Sequence, residues 1–287
     1  MDKKLYKAII AGISMTVCSY ASAGLVVTQN NNSGDLVSNI LGTGIATSNV
    51  TVTGNADAFG TFSGGLSAGI GIDSGIMLST GNVNSAVGPN SSDSISTNFG
   101  TAGDANLSTL AGAATSDAAL LNFDFDSDSG DLFFNYVFAS EEYNEFANST
   151  FNDVFAFFVD GVNIALIPGT STEVSINTVN GGTAGDGVGG VNSQYFNNND
   201  NDNGGPFFDI EYDGFTDVFT ASVTGLTAGF HNISIGIADV GDTAYDSAVF
   251  IQSGSFSSDN TTSIPEPSTM VIFTLGILGL ASRRIKQ

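Results

Sequence analysis

The chain has 287 residues and a formal net charge of −23, from 29 Asp and Glu against six Lys and Arg and a single His. All six basic residues lie at the two ends (Lys3, Lys4, Lys7, Arg283, Arg284, Lys286), so the region between them has nothing with which to neutralise phosphates, and nucleic acid and anionic lipid are excluded as its partners. All acidic residues except Asp2 and Glu266 fall within residues 24–264, where no ordinary salt bridge can form and the charge must be solvated, protonated or balanced by bound cations. Solubility in a salty medium is the competing explanation of such an excess.

Residues 1–23 read as a secretory signal: a basic start, an apolar run over 8–17, and the small-residue pattern Ala21-Ser22-Ala23. Cleavage between Ala23 and Gly24 is expected. The only cysteine, Cys18, lies in this segment; Met15-Thr16-Val17 lacks the small residue that lipoprotein anchoring wants just before it. The mature chain therefore has no disulfide, and its stability must come from a core, or from a core plus metal. A length of about 240 residues suits one large β-domain.

Residues 33–41 carry a capping residue and apolar side chains at Leu36, Val37, Ile40 and Leu41, which predicts one short helix. From there the pattern is β. Strands are expected over 50–53, 75–80, 132–139, 154–159, 162–167, 174–177, 207–212, 218–223, 233–238 and 248–255. Asp160-Gly161 between two apolar runs predicts a hairpin with a two-residue type I′ turn. Residues 82–106 and 181–205 read as long surface loops, which are functional or disordered when they reach that length. Many short strands separated by Gly, Asn, Asp and Ser predict an all-β domain over 24–255, a β-sandwich of jelly-roll type with long loops and one short N-terminal helix. Residues 256–264 read as a linker.

Two acidic loops stand out at strand ends. One runs through Glu141 and Glu142 to Asp153; the other holds Asp239, Asp242 and Asp246. Carboxylates and carbonyls on loops supply the six to eight oxygens that calcium takes, so these six residues are the expected ligand pool and calcium the expected cofactor. Successive strand residues face opposite sides, so Glu141 and Glu142 share a site only if their strand has already ended. Asp124, Asp126 and Asp128 resemble the start of an EF-hand loop, but the closing Glu is missing, and alternation along a solvated strand explains them.

Enzyme readings have little to stand on. His231 is in register with Ile233, Ile235 and Ile237 and ends an apolar face. Cys nucleophiles and the usual zinc ligands are missing. A carboxylate-pair glycoside hydrolase stays open, since it needs only two acids across a cleft. Trp is absent, although Tyr143, Tyr195, Tyr212 and Tyr245 could stack on a sugar.

The same segments carry a resemblance. Ser-Glu-Glu-Tyr (140–143), Phe-Asn-Asp-Val-Phe-Ala-Phe-Phe-Val-Asp-Gly (151–161), Ile-Ala-Leu-Ile-Pro-Gly-Thr (164–170), Glu-Tyr-Asp-Gly-Phe-Thr (211–216), Ile-Ala-Asp-Val-Gly-Asp (237–242) and Asp-Ser-Ala-Val-Phe (246–250) resemble the choice-of-anchor L domain. So does Ile-Asp-Ser-Gly-Ile-Met-Leu-Ser-Thr-Gly (72–81). The resemblance spans roughly residues 35–256 and implies a domain displayed on a bacterial surface or matrix; it brings no established activity.

The chain closes on Pro265-Glu266-Pro267, an apolar run over 270–281, and a basic end. That run is shorter than the roughly 20 residues of a standard spanning helix, a mismatch that bilayer thinning and flanking anchors accommodate. The basic end should stay cytoplasmic and everything before the run outside. The three parts in this order resemble the PEP-CTERM sorting signal, which implies handling by exosortase-type machinery in bacteria that make extracellular polysaccharide; a plain membrane anchor is the alternative. The expected whole is an exported surface or biofilm-matrix domain, structural or adhesive, non-enzymatic and stabilised by calcium. Its expected partners are that machinery, extracellular polysaccharide or another surface protein, with membrane contact only through the tail. A carbohydrate-binding module ranks second and a glycoside hydrolase third.

Overall fold

The computed structural model describes residues 24–42, 45–127 and 130–258. The signal segment through Ala23, Asp128, and the tail with Pro265, Glu266 and Pro267 lie outside the described residues. Among these residues thirteen strands form two sheets. In chain order they are β1 (Val26–Gln29), β2 (Thr47–Thr53), β3 (Phe59–Ser63), β4 (Gly75–Ser79), β5 (Thr115–Ser127), β6 (Leu132–Ser140), β7 (Val154–Val159), β8 (Val162–Asn163), β9 (Phe196–Asn198), β10 (Gly214–Thr216), β11 (Phe219–Val223), β12 (Gly229–Val240) and β13 (Ser247–Gln252). One sheet has the order β1-β3-β4-β13-β6-β10-β9, with β11 also on β6, and the other β2-β5-β12-β7-β8.

The pairs β4 with β13, β5 with β12, β6 with β11 and β7 with β8 are nested in sequence and alternate between the sheets, every one antiparallel. That winding of one long antiparallel ribbon is the jelly roll. Strands β1, β2, β3, β9 and β10 extend its two sheets.

Alternation places the core. Along β5, Leu121, Phe123 and Phe125 point inward while Asn122, Asp124 and Asp126 point out, so the alternating aspartates do sit on a solvated face. Along β12, His231, Ile233, Ile235 and Ile237 face the same core. Strand β6 is buried on both faces: Phe134, Tyr136 and Phe138 fill the space between the sheets, and Val137 and Ala139 lie under an outer apolar layer with Ile70, Ile72 and Ile210. A helix, Ala105–Ala111, seats Leu107 on the outside of the second sheet beside Ala118, Ala156 and Ala238.

The predicted helix is present over Ser33–Ile40, capped by the Asn32 side chain, which accepts from Asp35 N, and burying Leu36, Val37 and Ile40. Two more short helices, Gly65–Ala68 and Ala105–Ala111, were not expected. The Asp160-Gly161 turn has φ of 48° and 83°, both positive as type I′ requires.

Three predicted strands differ. Residues 174–177 make only a single bridge, Val154 to Ser175, and the following turn is closed by the Thr178 hydroxyl. Residues 207–212 contribute one bridge, Val87 to Ile210, because Asn199 draws their backbone aside by accepting from Phe207 N and Phe208 N. The strand starting at Val162 lasts two residues, since the Asn163 side chain accepts from Phe157 N and Ala165 N and breaks the ladder. Phe256 and Ser257, expected in the linker, belong to the packed domain: Phe256 is fully buried among Phe123, Phe125 and Phe134, and Ser257 bridges Phe133.

Candidate metal centre

The register of the sheets gathers carboxylates at one end of the sandwich. Ser140, the last residue of β6, lies opposite Gly214 of β10 on one side and Ser247 of β13 on the other. Antiparallel pairing therefore sets the next residue, Glu141, between the residues that precede those two, Asp213 and Asp246. Glu141 N donates to Asp246 O at 3.0 Å, which fixes that neighbour directly. One strand further on, Ala248 lies opposite Ser79, which brings Gly81 alongside Asp246. A side chain at position 81 would collide with the Asp246 carboxylate, so glycine is what leaves that carboxylate room. In the other sheet Ala238 lies opposite Val154, and the same step places Asp239 beside Asp153.

The two rows are tied across the end of the sandwich through hydroxyls. Asp153 accepts from Val240 N at 3.0 Å and from Ser247 Oγ at 2.7 Å, and the Ser247 hydroxyl stands 2.8 Å from that of Ser140. Ser140 Oγ in turn accepts from Glu142 N at 2.9 Å. Strand β6 has ended by then, so Glu141 and Glu142 both turn inward, toward different neighbours: Glu141 toward Asp213, Glu211 and Asp246, Glu142 toward Asp153, Asp242 and Glu145.

Of the six residues in the predicted pool, Glu141, Glu142, Asp153, Asp239 and Asp246 are brought together, each no more than 2% exposed. Asp242 sits at the exposed edge, where its carboxylate accepts from Ala244 N. Asp213, fully buried, belongs to the cluster and was not anticipated. Like Asp153 and Asp246 it immediately precedes a strand, but that strand, β10, is three residues long and is not among those the sequence predicts.

Buried carboxylates in this domain are of two kinds. Asp117 accepts from Phe99 N, Thr101 N and Thr101 Oγ1; Glu211 from Ser91 N and Ser91 Oγ; Asp200 from Asp202 N, Asn144 Nδ2 and Asn203 Nδ2. Those three pin loops with donors supplied by the fold. By contrast, both carboxylate oxygens of Glu141, Glu142, Asp239 and Asp246, and Oδ2 of Asp213, are buried without a hydrogen-bond partner. Donors of Ile95, Thr80 and Thr97 come near Glu141, Asp239 and Asp246 and offset part of the burial, but no hydrogen bond of normal geometry closes on them.

A buried acid without donors holds its proton. Burial first, then the neighbouring charges, pushes Glu141 up to about 11 and Glu142 to about 9. Burial raises Asp246 to about 7, and raises Asp213 to about 8 even though Asn90 Nδ2 donates to it at 2.7 Å. Asp153 and Asp239 are shifted upward together, again mainly by burial. As they stand, no three Asp, Glu, His or Cys side chains among the described residues are grouped tightly enough to hold a metal ion. The donor set, oxygens alone, is that of a hard cation.

Elsewhere, Tyr143 and Tyr212 are buried and offer no surface to a sugar. His231 is buried beside Phe125, its Nδ1 2.6 Å from Asp160 Oδ2 and its Nε2 2.7 Å from Thr227 O, far from any nucleophile's arrangement.

The choice-of-anchor L domain family matches residues 26–257. The chain belongs to the choice-of-anchor L family. The PEP-CTERM protein-sorting motif matches residues 263–285, directly after the domain, which makes this an exported, surface-anchored protein processed by exosortase-type sorting machinery. Neither a curated protein nor a solved structure matches the chain. No helix among the described residues is long and apolar enough to cross a membrane. In this choice-of-anchor L domain, the segments at 140–143, 151–161, 211–216, 237–242 and 246–250 all deliver a carboxylate to the same end of the sandwich.

Proposed function

We propose that this choice-of-anchor L domain is a calcium-stabilised structural or adhesive module of the cell surface or extracellular matrix, with extracellular polysaccharide or another surface protein as its partner. The observation that carries the calcium reading is the set of buried oxygens on Glu141, Glu142, Asp239 and Asp246 on which no hydrogen bond of normal geometry closes, in a domain without Lys or Arg. An ionised carboxylate in such a place costs several kcal/mol unless a cation joins it, and one divalent ion held by several of them ties β6, β7, β12 and β13 together at their ends. A glycoside hydrolase needs its acids open on a cleft; a glycan has no access to carboxyls that are 1% exposed.

Thermal melts of the exported protein in calcium and in magnesium at equal ionic strength test this. Calcium at about 100 times its dissociation constant adds about 2.7 kcal/mol per site, a shift of several degrees for a domain of this size. Asp239→Asn combined with Asp246→Asn should remove the calcium-specific part. Equal shifts in the two ions, or an unchanged shift in the double variant, would overturn the reading.

A further inference from the structure

The predicted ligand pool omits two buried oxygens that lack a hydrogen-bond partner, on Asp213 and Asn144. Asp213 Oδ2 is one: its Oδ1 is held by Asn90 Nδ2 at 2.7 Å, and Oδ2 is buried with no partner. Asn144 Oδ1 is the second. The Asn144 amide is fully buried, its Nδ2 donates to Asn198 Oδ1 at 2.9 Å and Asp200 Oδ2 at 2.8 Å, and this fixes the amide's orientation and turns Oδ1 away from those acceptors with no donor of its own. The Glu141 carboxylate, itself in the pool, lacks a partner on both oxygens, and after burial Asp213 is the group that raises it most. The backbone brings them together: Asp213 precedes Gly214, which pairs with Ser140, and Gly214 lies so close under Tyr143 that a side chain there would touch the Tyr143 Cβ.

We propose that Asp213, Asn144 and Glu141 form a second hard-cation site, separate from the one at Asp239 and Asp246, and that its ion fastens the two long loops to the end of the sandwich. The choice of calcium rests on the reading above; the site itself rests on these oxygens. With the two acids ionised all three are acceptors, and a hard divalent cation satisfies them together. Adjacent strands run about 4.8 Å apart, which separates the Asp213 and Asp246 backbones by roughly 10 Å with Glu141 between them. Two oxygens on one calcium are at most about 5 Å apart. That geometry favours one ion on each side of Glu141, with its carboxylate between them.

The consequence for the loops follows from the hydrogen bonds that converge here. Asn90 reaches Asp213 and Asn199 O, Asn201 Nδ2 donates to Asn90 Oδ1 and O, and Asp200 holds Asn144 and Asn203. An ion on Asp213 and Asn144 therefore braces residues 90–93 and 198–213 at once.

Equilibrium dialysis of the exported protein against radiolabelled calcium tests this, with chymotryptic cutting at the exposed Phe207 as a second readout. The wild type should bind two ions. Asp213→Asn, which keeps the acceptor for Asn90, should lose one ion and be cut many-fold faster in calcium, while the Asp239→Asn and Asp246→Asn double variant should also retain one ion but keep its loop protected. Should Asp213→Asn fail to fold, the double variant decides alone: one ion left supports the second site, none left overturns it. A wild type that binds a single ion, lost in the double variant and kept in Asp213→Asn, overturns the second site and leaves the first standing. No calcium bound by the wild type overturns both.

Discussion

His231 shows how a single residue's partners settle its charge. Thr227 O can only accept and Asp160 is a carboxylate, so both neighbours favour the ring that carries a proton on each nitrogen, the imidazolium. The Thr227 carbonyl and then Asp160 hold its pKa above the ordinary histidine value. A histidine raised on folding contributes stability in full below its unfolded pKa of about 6.5, and loses that contribution as pH rises through the folded value. An NMR titration should place the ring's midpoint above 6.5, and His231→Gln should flatten that part of the stability profile. The buried acids follow the same sign over a wider range of pH. Glu141, raised to about 11, keeps a proton that the unfolded chain gives up above about 4.5, so the calcium-free domain loses stability as pH rises from that point. Glu141→Gln should therefore raise the calcium-free melting point at pH 8 and lower the calcium-loaded one; a change of the same sign in both would remove Glu141 from the site. The pool of Glu141, Glu142, Asp153, Asp239 and Asp246 was legible in the sequence because each sits at a strand end, where register brings residues together. Asn144 was not legible, since a neutral amide in a turn carries no signal until its partners are seen.

At the scale of elements, the strongly patterned strands were readable and the conditional ones were not. Strand β7 and its turn to β8 follow from an apolar run and Asp160-Gly161, while residues 174–177 and 207–212 have strand-like composition but lose their ladders to the side chains of Thr178 and Asn199. Strand β5, the longest, shows in the sequence only through the alternation of Asp124 and Asp126, and its first half carries no comparable pattern. The C-terminal edge of the domain is the clearest revision. Phe256 packs at 5.3–5.6 Å between ring centroids against Phe123, Phe125 and Phe134, and its backbone pairs with the Ile40 to Gly42 segment, so the last residues before the sorting motif close the core rather than lead away from it. Phe256→Ala should cost about 3–5 kcal/mol, roughly 10 °C in melting temperature. Truncation after Ser255 should cost at least as much, and truncation after Ser258 little. Equal stability of the two truncations in a denaturation series would return Phe256 to the linker.

The whole molecule is a jelly roll whose winding brings the ends of β6 and β12 and the starts of β7, β10 and β13 to one place, and nearly every charge it carries is negative. A domain of this composition cannot neutralise itself with Lys or Arg, and it leaves buried oxygens of Glu141, Glu142, Asp213, Asp239 and Asp246 without a hydrogen-bond partner while supplying donors generously to Asp117, Glu211 and Asp200. The central claim is that these donor-free acids are protonated until a divalent ion replaces their protons. A calorimetric titration of calcium into the exported protein at pH 7, repeated in two buffers of different ionisation enthalpy, counts the protons released on binding. Glu141, Glu142 and Asp213 stand at about 11, 9 and 8, so all three are protonated at that pH and calcium should expel protons from them. The account predicts a heat of binding that depends on the buffer and a net release of protons into solution, growing smaller as the pH is raised; calcium that binds with the same heat in both buffers, or does not bind, would contradict it.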